Sequence, residues 1–331
     1  MAEARVTTSG MSSDAASRNA WQNWLHALAA ARRERHWGDP WGYAFITPAL
    51  LLFIVFGAWP VLRGLSMAFT DYRFLIEGHA PFNGIQNFLE MLKDPSYAEG
   101  FGRSIEFSAI YAPANVLIAL FLATFISQVR HARAASIYRV LAYLPVVLPI
   151  SVAMLLWKEL ADSQFGYINY VLHDVLKLGI KPAWFSDPPL VIPTMAVAAV
   201  WKTLGANTLL FLVGLYNING EIYEAASMDG ASALKQWWYI TLPLIKPTLT
   251  LVLVLITGVL SWAGTQEALI LFNGGGPEEA GQTVGVYSYM VAFRLGDLRW
   301  GYAAAMNLSV GILAMILAAM VFRLLRTERW M

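Results

Sequence analysis

Long apolar runs alternate with short polar stretches along this chain, and six of the runs are long enough to be membrane spans. They extend from Trp41 to Phe69, Ile105 to Ser127, about Val140 to Leu160, about Leu190 to Tyr216, about Thr248 to Leu271 and about Gly301 to Leu325. At about 1.5 Å of rise per residue, each crosses a hydrocarbon core of about 30 Å. The pattern therefore predicts an all-α membrane protein with about six transmembrane helices. Prolines punctuate several runs: Pro60 predicts a kink in the first, Pro113 interrupts the second, and Pro145 and Pro149 lie in the third.

The polar stretches divide the chain further. Residues 1–40 form a tail rich in Ala, Ser and Arg, without an apolar run long enough for a signal-peptide core. Trp21, Trp24, Leu25, Leu28 and Ala31 recur there at helical spacing beside Arg32, Arg33 and Arg35. That pattern fits a helix lying in the membrane interface and equally a partly ordered tail. Residues 41–326 make up the transmembrane domain, and 327–331 a short C-terminus. Within the domain, residues 217–247 interrupt the apolar pattern between runs four and five, and Asn219 to Pro247 read N-G-E-I-Y-E-A-A-S-M-D-G-A-S-A-L-K-Q-W-W-Y-I-T-L-P-L-I-K-P.

This interruption predicts a helical hairpin. Asn219 is a good N-cap and Glu221 supplies an acid to the first turn. Gly230 provides a bend that a β-carbon would resist. Ala233 to Tyr239 forms the second helix, and Pro243 and Pro247 close it and begin the fifth span. Ala225, Ala226 and Ala231 are small enough for a partner surface to approach closely, while Glu224 and Asp229 offer charge. A plain interfacial helix joining two spans would have the same outline.

Composition sharpens this picture. The chain of 331 residues is 57% apolar and 14% charged, which fits a membrane protein better than a soluble domain. A net charge of +1, with no basic stripe interleaved with aromatics, argues against nucleic acid as a partner. Cysteine is absent, so disulfides, thiolate metal sites and cysteine nucleophiles are excluded together. The five histidines are scattered beyond one helical turn of each other, so no metal or cofactor is expected. Thirteen Lys and Arg lie in the tail, the link between runs two and three, the hairpin and the C-terminal end, against seven in the opposite loops. Positive charge favours the cytoplasmic side, which places the hairpin and both termini there.

Polar residues inside the runs mark candidate chemistry. Lys202 stands twelve residues from Leu190 and fourteen from Tyr216. Twelve residues of helix span about 18 Å, too far to snorkel comfortably. A charge at that depth costs about 2.5–3.5 kcal/mol, so it should face the bundle interior or a wet cavity. Its role is either structural pairing with a carboxylate or contact with a substrate. Thr203, Asn207 and Thr208 are close in sequence, and the fifth run offers Trp262, Thr265, Gln266 and Glu267. Together these provide donors, acceptors and an aromatic face suited to a hydroxyl-rich ligand.

Other functional classes fit less well. A secondary, ion-coupled transporter favours a carboxylate near the midplane, whereas Glu267 lies about four residues from the outer end of its run. A membrane enzyme needs clustered His, Asp or Ser groups, and none is visible locally. No G-x4-G-K-[ST] occurs, and the glycine triplet 274–276 leads into Pro277 and not into a phosphate-cradling helix. Any ATP-derived energy must come from a partner.

Glu224-Ala225-Ala226, Gly230, Ile240, Leu242 and Pro243 reproduce the pattern E-A-A-x3-G-x9-I-x-L-P, with Asp229 before the glycine. In this the chain resembles bacterial ABC-importer permeases of the carbohydrate-uptake group, particularly the larger maltose-type subunit. Further marks are Y-R-V-L-A-Y-L-P at 138–145, F-G-Y-I-N at 165–169, W-F-S-D-P at 184–188 and N-G-G-G-P at 273–277. The resemblance implies a non-enzymatic subunit of a bacterial or archaeal cytoplasmic membrane, with ATP hydrolysed elsewhere. Its implied partners are a second homologous permease, cytoplasmic ATP-binding subunits, an extracytoplasmic solute-binding protein that delivers a sugar or sugar derivative, and the lipid bilayer. It implies that Glu224, Ala225, Ala226, Asp229 and Gly230 dock on the ATPase. It also places Ala199, Lys202, Thr203 and Ala206 at substrate-contact positions, with Trp262 nearby. Two departures stand out: Asn219 replaces the usual proline, and Ala199 and Ala206 are small for sugar contacts. Either the ligand differs from maltose or this subunit contributes little to binding it.

Overall fold

A computed structural model describes residues 40–76 and 80–325. The expected interfacial helix of the tail and the C-terminus at 327–331 lie outside the described residues. The chain divides into two compact units, one ending at Leu62 and the other starting at Arg63.

In the first unit, helix α1 (Pro40–Phe53) runs into a π turn (Ile54–Ala58) before α2 (Trp59–Met67) begins. Pro60 has no N–H, and its ring crowds the carbonyl four residues back. The helix widens just before it, with the Trp59 N–H reaching back to the Ile54 carbonyl. The expected kink thus takes the form of a π turn. Phe45, Phe56 and Trp59 are exposed.

The second unit contains α3 (Gln86–Met91), α4 (Pro95–Ser127), α5 (Ala132–Val147), α6 (Ile150–Leu160) and α7 (Pro188–Tyr216). There follow α8 (Gly220–Met228), α9 (Ala233–Gln236), α10 (Lys246–Thr257), α11 (Thr265–Phe272), α12 (Val284–Phe293) and α13 (Trp300–Leu325). No strand occurs among the described residues; Thr70 and Phe82 form an isolated bridge. Helices α4 and α7 lie along one another at the centre, α5 packs on α7, and α13 packs on α10 and α12. The central seam sets Phe107, Ala119 and Ala123 of α4 among Met195, Ala199 and Phe211 of α7. Alanines at this seam let the helices approach closely where no hydrophobic effect drives association in lipid.

Four continuous helices are long and apolar enough to cross a bilayer: Tyr43–Met67, Pro95–Ser127, Pro188–Tyr216 and Trp300–Leu325. Two bent pairs, Ala132–Val147 with Ile150–Leu160 at 98° and Ala233–Leu244 with Lys246–Ser261 at 64°, bring the number to six when each is counted as one span. Span three is therefore not the single helix expected from about Val140 to Leu160. It begins earlier, at Ala132, and breaks at Leu148 and Pro149, whose ψ angles of 137° and 141° are extended. Proline forces the residue before it out of the helical region and offers no N–H to continue the ladder. Span five also ends sooner than the expected Leu271. A 3₁₀ turn at Gly258–Ser261 leads into a break at 262–264, where Gly264 takes φ of 65°, and α11 restarts the helix.

Where α4 begins, one carboxylate ties three helices together. Asp94 caps α4 by accepting from the Ser96 amide at 2.9 Å, and it accepts from the Tyr287 and Tyr302 hydroxyls at 2.7 Å each. Beside it, Arg299 donates two hydrogen bonds to Glu90, at 2.5 and 2.7 Å. Burial pushes the Asp94 carboxyl up, but the hydroxyls and amides aimed at it outweigh burial and hold it below the ordinary aspartate range. A group depressed in the folded state stabilises fully above its unfolded value, near about 4, and loses that contribution as pH falls through the lower folded value. Thermal melts of the purified protein between pH 7 and pH 3 should show a shallower acid decline for Asp94→Asn than for the wild type. Identical slopes would remove Asp94 from the acid response.

Candidate functional site

Helix α8 and the turn after it are largely exposed and the hairpin is tied to itself, while Trp237 and Leu242 at its far end pack against the core. Asn219 caps α8, its side-chain oxygen accepting from the Glu221 amide at 3.1 Å. The helix is closed by a left-handed Gly230 at φ of 76°, with the Ala231 amide donating to the Ala226 carbonyl at 2.9 Å. Gln236 donates across the turn to Ser227 at 2.9 Å, and the Tyr223 and Thr241 hydroxyls bond at 2.9 Å. The second helix is shorter than the expected Ala233 to Tyr239. It ends at Gln236 and passes into a π turn, Trp237–Thr241, that precedes Pro243. A ring at Pro243 crowds the carbonyl four residues earlier, and the wider turn accommodates it.

Glu224, Ala225, Asp229 and Gly230 are exposed on α8 and its cap, whereas Ala226 is half-buried under the turn. Met228 is 89% exposed between them, which makes the tip apolar as well as acidic. Sequence reasoning passed over it. A long flexible apolar residue at a helix end with no inward neighbour was the available signal, since methionine is favoured on adaptable contact surfaces. Behind the hairpin, a cavity of about 380 Å³ separates it from the ends of α4 and α7, lined by Thr124, Tyr216, Tyr223, Gln236 and Thr241 among others.

The mid-span candidates serve different neighbours. Thr203 faces α4, where the Tyr111 hydroxyl lies 2.8 Å away and the Asn115 amide donates to it at 2.9 Å. Asn207 in turn donates to Asn115 at 2.6 Å. Tyr111 also meets Trp262 edge-on at 6.5 Å, so it joins the Thr203 network to the aromatic face expected within span five. Sequence reasoning missed Tyr111, and saw in Asn115 only an interruption of the second run. Their spacing of four residues on one helix face was the signal, because polar groups inside a span must find partners.

Lys202, one residue earlier, turns instead toward α5 and donates to the Val146 carbonyl at 3.1 Å. Ala199 is 1% exposed in the seam with α4, and its carbonyl accepts from Thr203 at 2.8 Å, while Ala206 is half-buried. On α11, Gln266 is exposed and Thr265 half-buried, with its hydroxyl lacking a hydrogen-bond partner. Glu267 is 2% exposed, and one of its carboxyl oxygens also has no partner. No group of three or more His, Cys, Asp or Glu that could hold a metal occurs among the described residues. The arrangement provides a hydrogen-bonding cluster and an aromatic face near one charged side chain, without an acid–base or nucleophilic pair.

The family described as binding-protein-dependent transport system inner membrane component matches residues 115–327, which include the hairpin and Lys202. Over 284 residues the chain is 32% identical to the probable ABC transporter permease protein YesP of Bacillus subtilis, covering 83% of this chain and 88% of that protein. It is 26% identical to the lactose transport system permease protein LacF of Rhizobium radiobacter, covering 87% of this chain and 95% of that one. Among solved structures it resembles a bacterial alginate ABC transporter in complex with alginate pentasaccharide-bound periplasmic protein, at a TM-score of 0.74 and 22% identity. That likeness covers 89% of this chain and 98% of the matched chain and concerns the fold.

Proposed function

The chain belongs to the binding-protein-dependent transport system inner membrane component family, and from that premise we propose how it works as a permease of an ATP-driven importer for sugars. It is a multi-pass membrane protein that moves a solute through its spans. Its hairpin docks on a cytoplasmic ATP-binding subunit through Glu224, Ala225, Ala226, Asp229 and Gly230, with Met228 as an apolar anchor. The observation that carries this is the hairpin itself: an exposed, internally bonded element, acidic and apolar at its tip, continuous with α7 on one side and the bent pair of span five on the other. A rigid element attached to two spans transmits a push from ATPase closure into helix movement, the general logic of alternating access.

A second homologous permease completes the path, and an extracytoplasmic binding protein supplies the cargo. The excess of Lys and Arg on the hairpin side supports the orientation with both termini in the cytoplasm. The lactose permease among the relatives supports a saccharide cargo. Lys202, Thr203, Ala206, Trp262 and Gln266 are the residues proposed to border the path, with Ala199, Thr265 and Glu267 packed behind them.

The test is uptake into proteoliposomes holding this chain with a second permease and an ATP-binding subunit of its importer, plus the binding protein outside. Labelled maltose, a digalacturonate and glucose 1-phosphate serve as probes. Uptake should require internal ATP and the binding protein, and should survive a proton ionophore. Uptake that ignores ATP and collapses with the ionophore would favour an ion-coupled transporter and overturn the proposal.

A further inference from the structure

Lys202 is the only charged residue between Pro188 and Tyr216. An ammonium has three donors, and the one hydrogen bond found for it here goes to a neutral backbone carbonyl, that of Val146. Among the described residues no carboxylate forms an ion pair with it within 4.0 Å. The structural pairing that sequence alone left open is therefore not made among the described residues. A charge at this depth without a countercharge costs several times what a satisfied polar group does, and it persists where water or a charged ligand meets it.

Lys202 sits beside a break in the backbone of the neighbouring span. Val146 is in the last turn of α5, immediately before the break at Leu148 and Pro149. Irregular backbone at membrane depth is tolerated where protein buries it or where it lines water, and not where it faces lipid. Beside this break the apolar Val147 and Leu144 are 70% and 58% exposed, whereas Leu148 and Lys202 are half-buried. An ammonium with no ion pair among the described residues, and only partly covered, therefore lies against a broken span.

We propose that the cargo is an anionic saccharide, carrying a carboxylate or a phosphate, whose charge is met by Lys202 during passage. This rests on the importer reading above and narrows its cargo. A lysine is suited to the task because its charge is compact and strongly hydrated, without the two-pronged grip of arginine. A group that must release its cargo benefits from that weaker hold. Anchoring to the Val146 carbonyl fixes where the charge sits while leaving donors free for an incoming anion.

The experiment uses the assembled importer in proteoliposomes with the same three probes, neutral maltose, a digalacturonate and glucose 1-phosphate. ATP-driven uptake should be seen for one of the two acids, and which acid it is separates carboxylate from phosphate recognition. Lys202→Gln keeps a donor for Val146 and removes the charge. It should lower uptake of that acid about tenfold, the scale of one charge-assisted hydrogen bond. Lys202→Arg should retain most of it, and both variants should co-purify with the second permease as the wild type does. The inference is overturned, with the importer reading intact, if ATP drives maltose uptake alone or if Lys202→Gln carries the acid at the wild-type rate. It is also overturned if Lys202→Gln fails to assemble, which would assign the charge to the subunit seam. No ATP-driven uptake of any probe overturns both readings.

Discussion

Glu224→Lys should leave the protein in the membrane and assembled with the second permease, yet reduce binding-protein-stimulated ATP hydrolysis at least about tenfold, to near its basal rate. Glu224 is exposed on α8 and makes no ion pair among the described residues, so folding does not depend on its charge. Its loss is felt only at a partner surface. Reversing a charge that meets a complementary partner costs about 2–5 kcal/mol, well over the 1.4 kcal/mol that makes one factor of ten. Gly230 gives an independent check through the backbone. Nothing lies within 4 Å of a β-carbon built there, but its φ is 76°. Gly230→Ala therefore meets only the left-handed penalty of about 1–2 kcal/mol, and should weaken coupling partially. Gly230→Pro cannot adopt this φ and loses the amide that bonds to Ser227 at 3.0 Å, so it should uncouple the importer fully. Both quantities are read from ATPase assays of the reconstituted complex with and without binding protein. Wild-type stimulation in Glu224→Lys and Gly230→Pro would remove the docking role.

The spans and the hairpin were legible because each follows from a local rule. Hydrocarbon thickness requires runs of about 20 apolar residues, and Asn219, Gly230 and the prolines state where the hairpin starts, turns and ends. The two breaks were not legible in the same way. Hydropathy is continuous across Leu148–Pro149 and across Trp262–Gly264, so an average over the run cannot tell a kinked helix from one that stops and restarts. Proline announced a disturbance in span three, but not that the disturbance is a break with a 98° bend. The polar network was hidden for another reason: Thr203 lies 92 residues from Tyr111 and 88 from Asn115. Lys202 is the clearest case, since its partner is a backbone carbonyl that no pattern of side chains reveals. Ala199 shows the converse. Its small size, puzzling for a ligand contact, suits a residue 1% exposed where α4 and α7 meet.

The same seam logic sets the largest effect expected on stability. Gly205→Val should destabilise the detergent-solubilised protein by about 1–3 kcal/mol or more, the range seen when a packed core is overfilled, and should abolish transport. A β-carbon built at Gly205 collides with the Ala142 carbonyl oxygen and lies 2.7 Å from Tyr143 Cα and 2.9 Å from Ala142 C. These are backbone atoms of α5, which cannot rotate aside as a side chain would, so the two helices must separate. Separation has a second consequence, because Lys202 is one turn away on α7 and reaches Val146 on α5 across the same contact. Gly205→Ala, which adds one carbon, should already lower the melting temperature and weaken that hydrogen bond. The control is Gly102→Ala on α4, where nothing lies within 4 Å of the added carbon. There the melting temperature should stay level or rise, as expected for glycine replaced within a helix at about 0.5–1 kcal/mol. Thermal melts of the three variants beside the wild type decide the matter: if Gly205→Val melts with Gly102→Ala, α5 and α7 are not in backbone contact, and the position assigned to Lys202 loses its support.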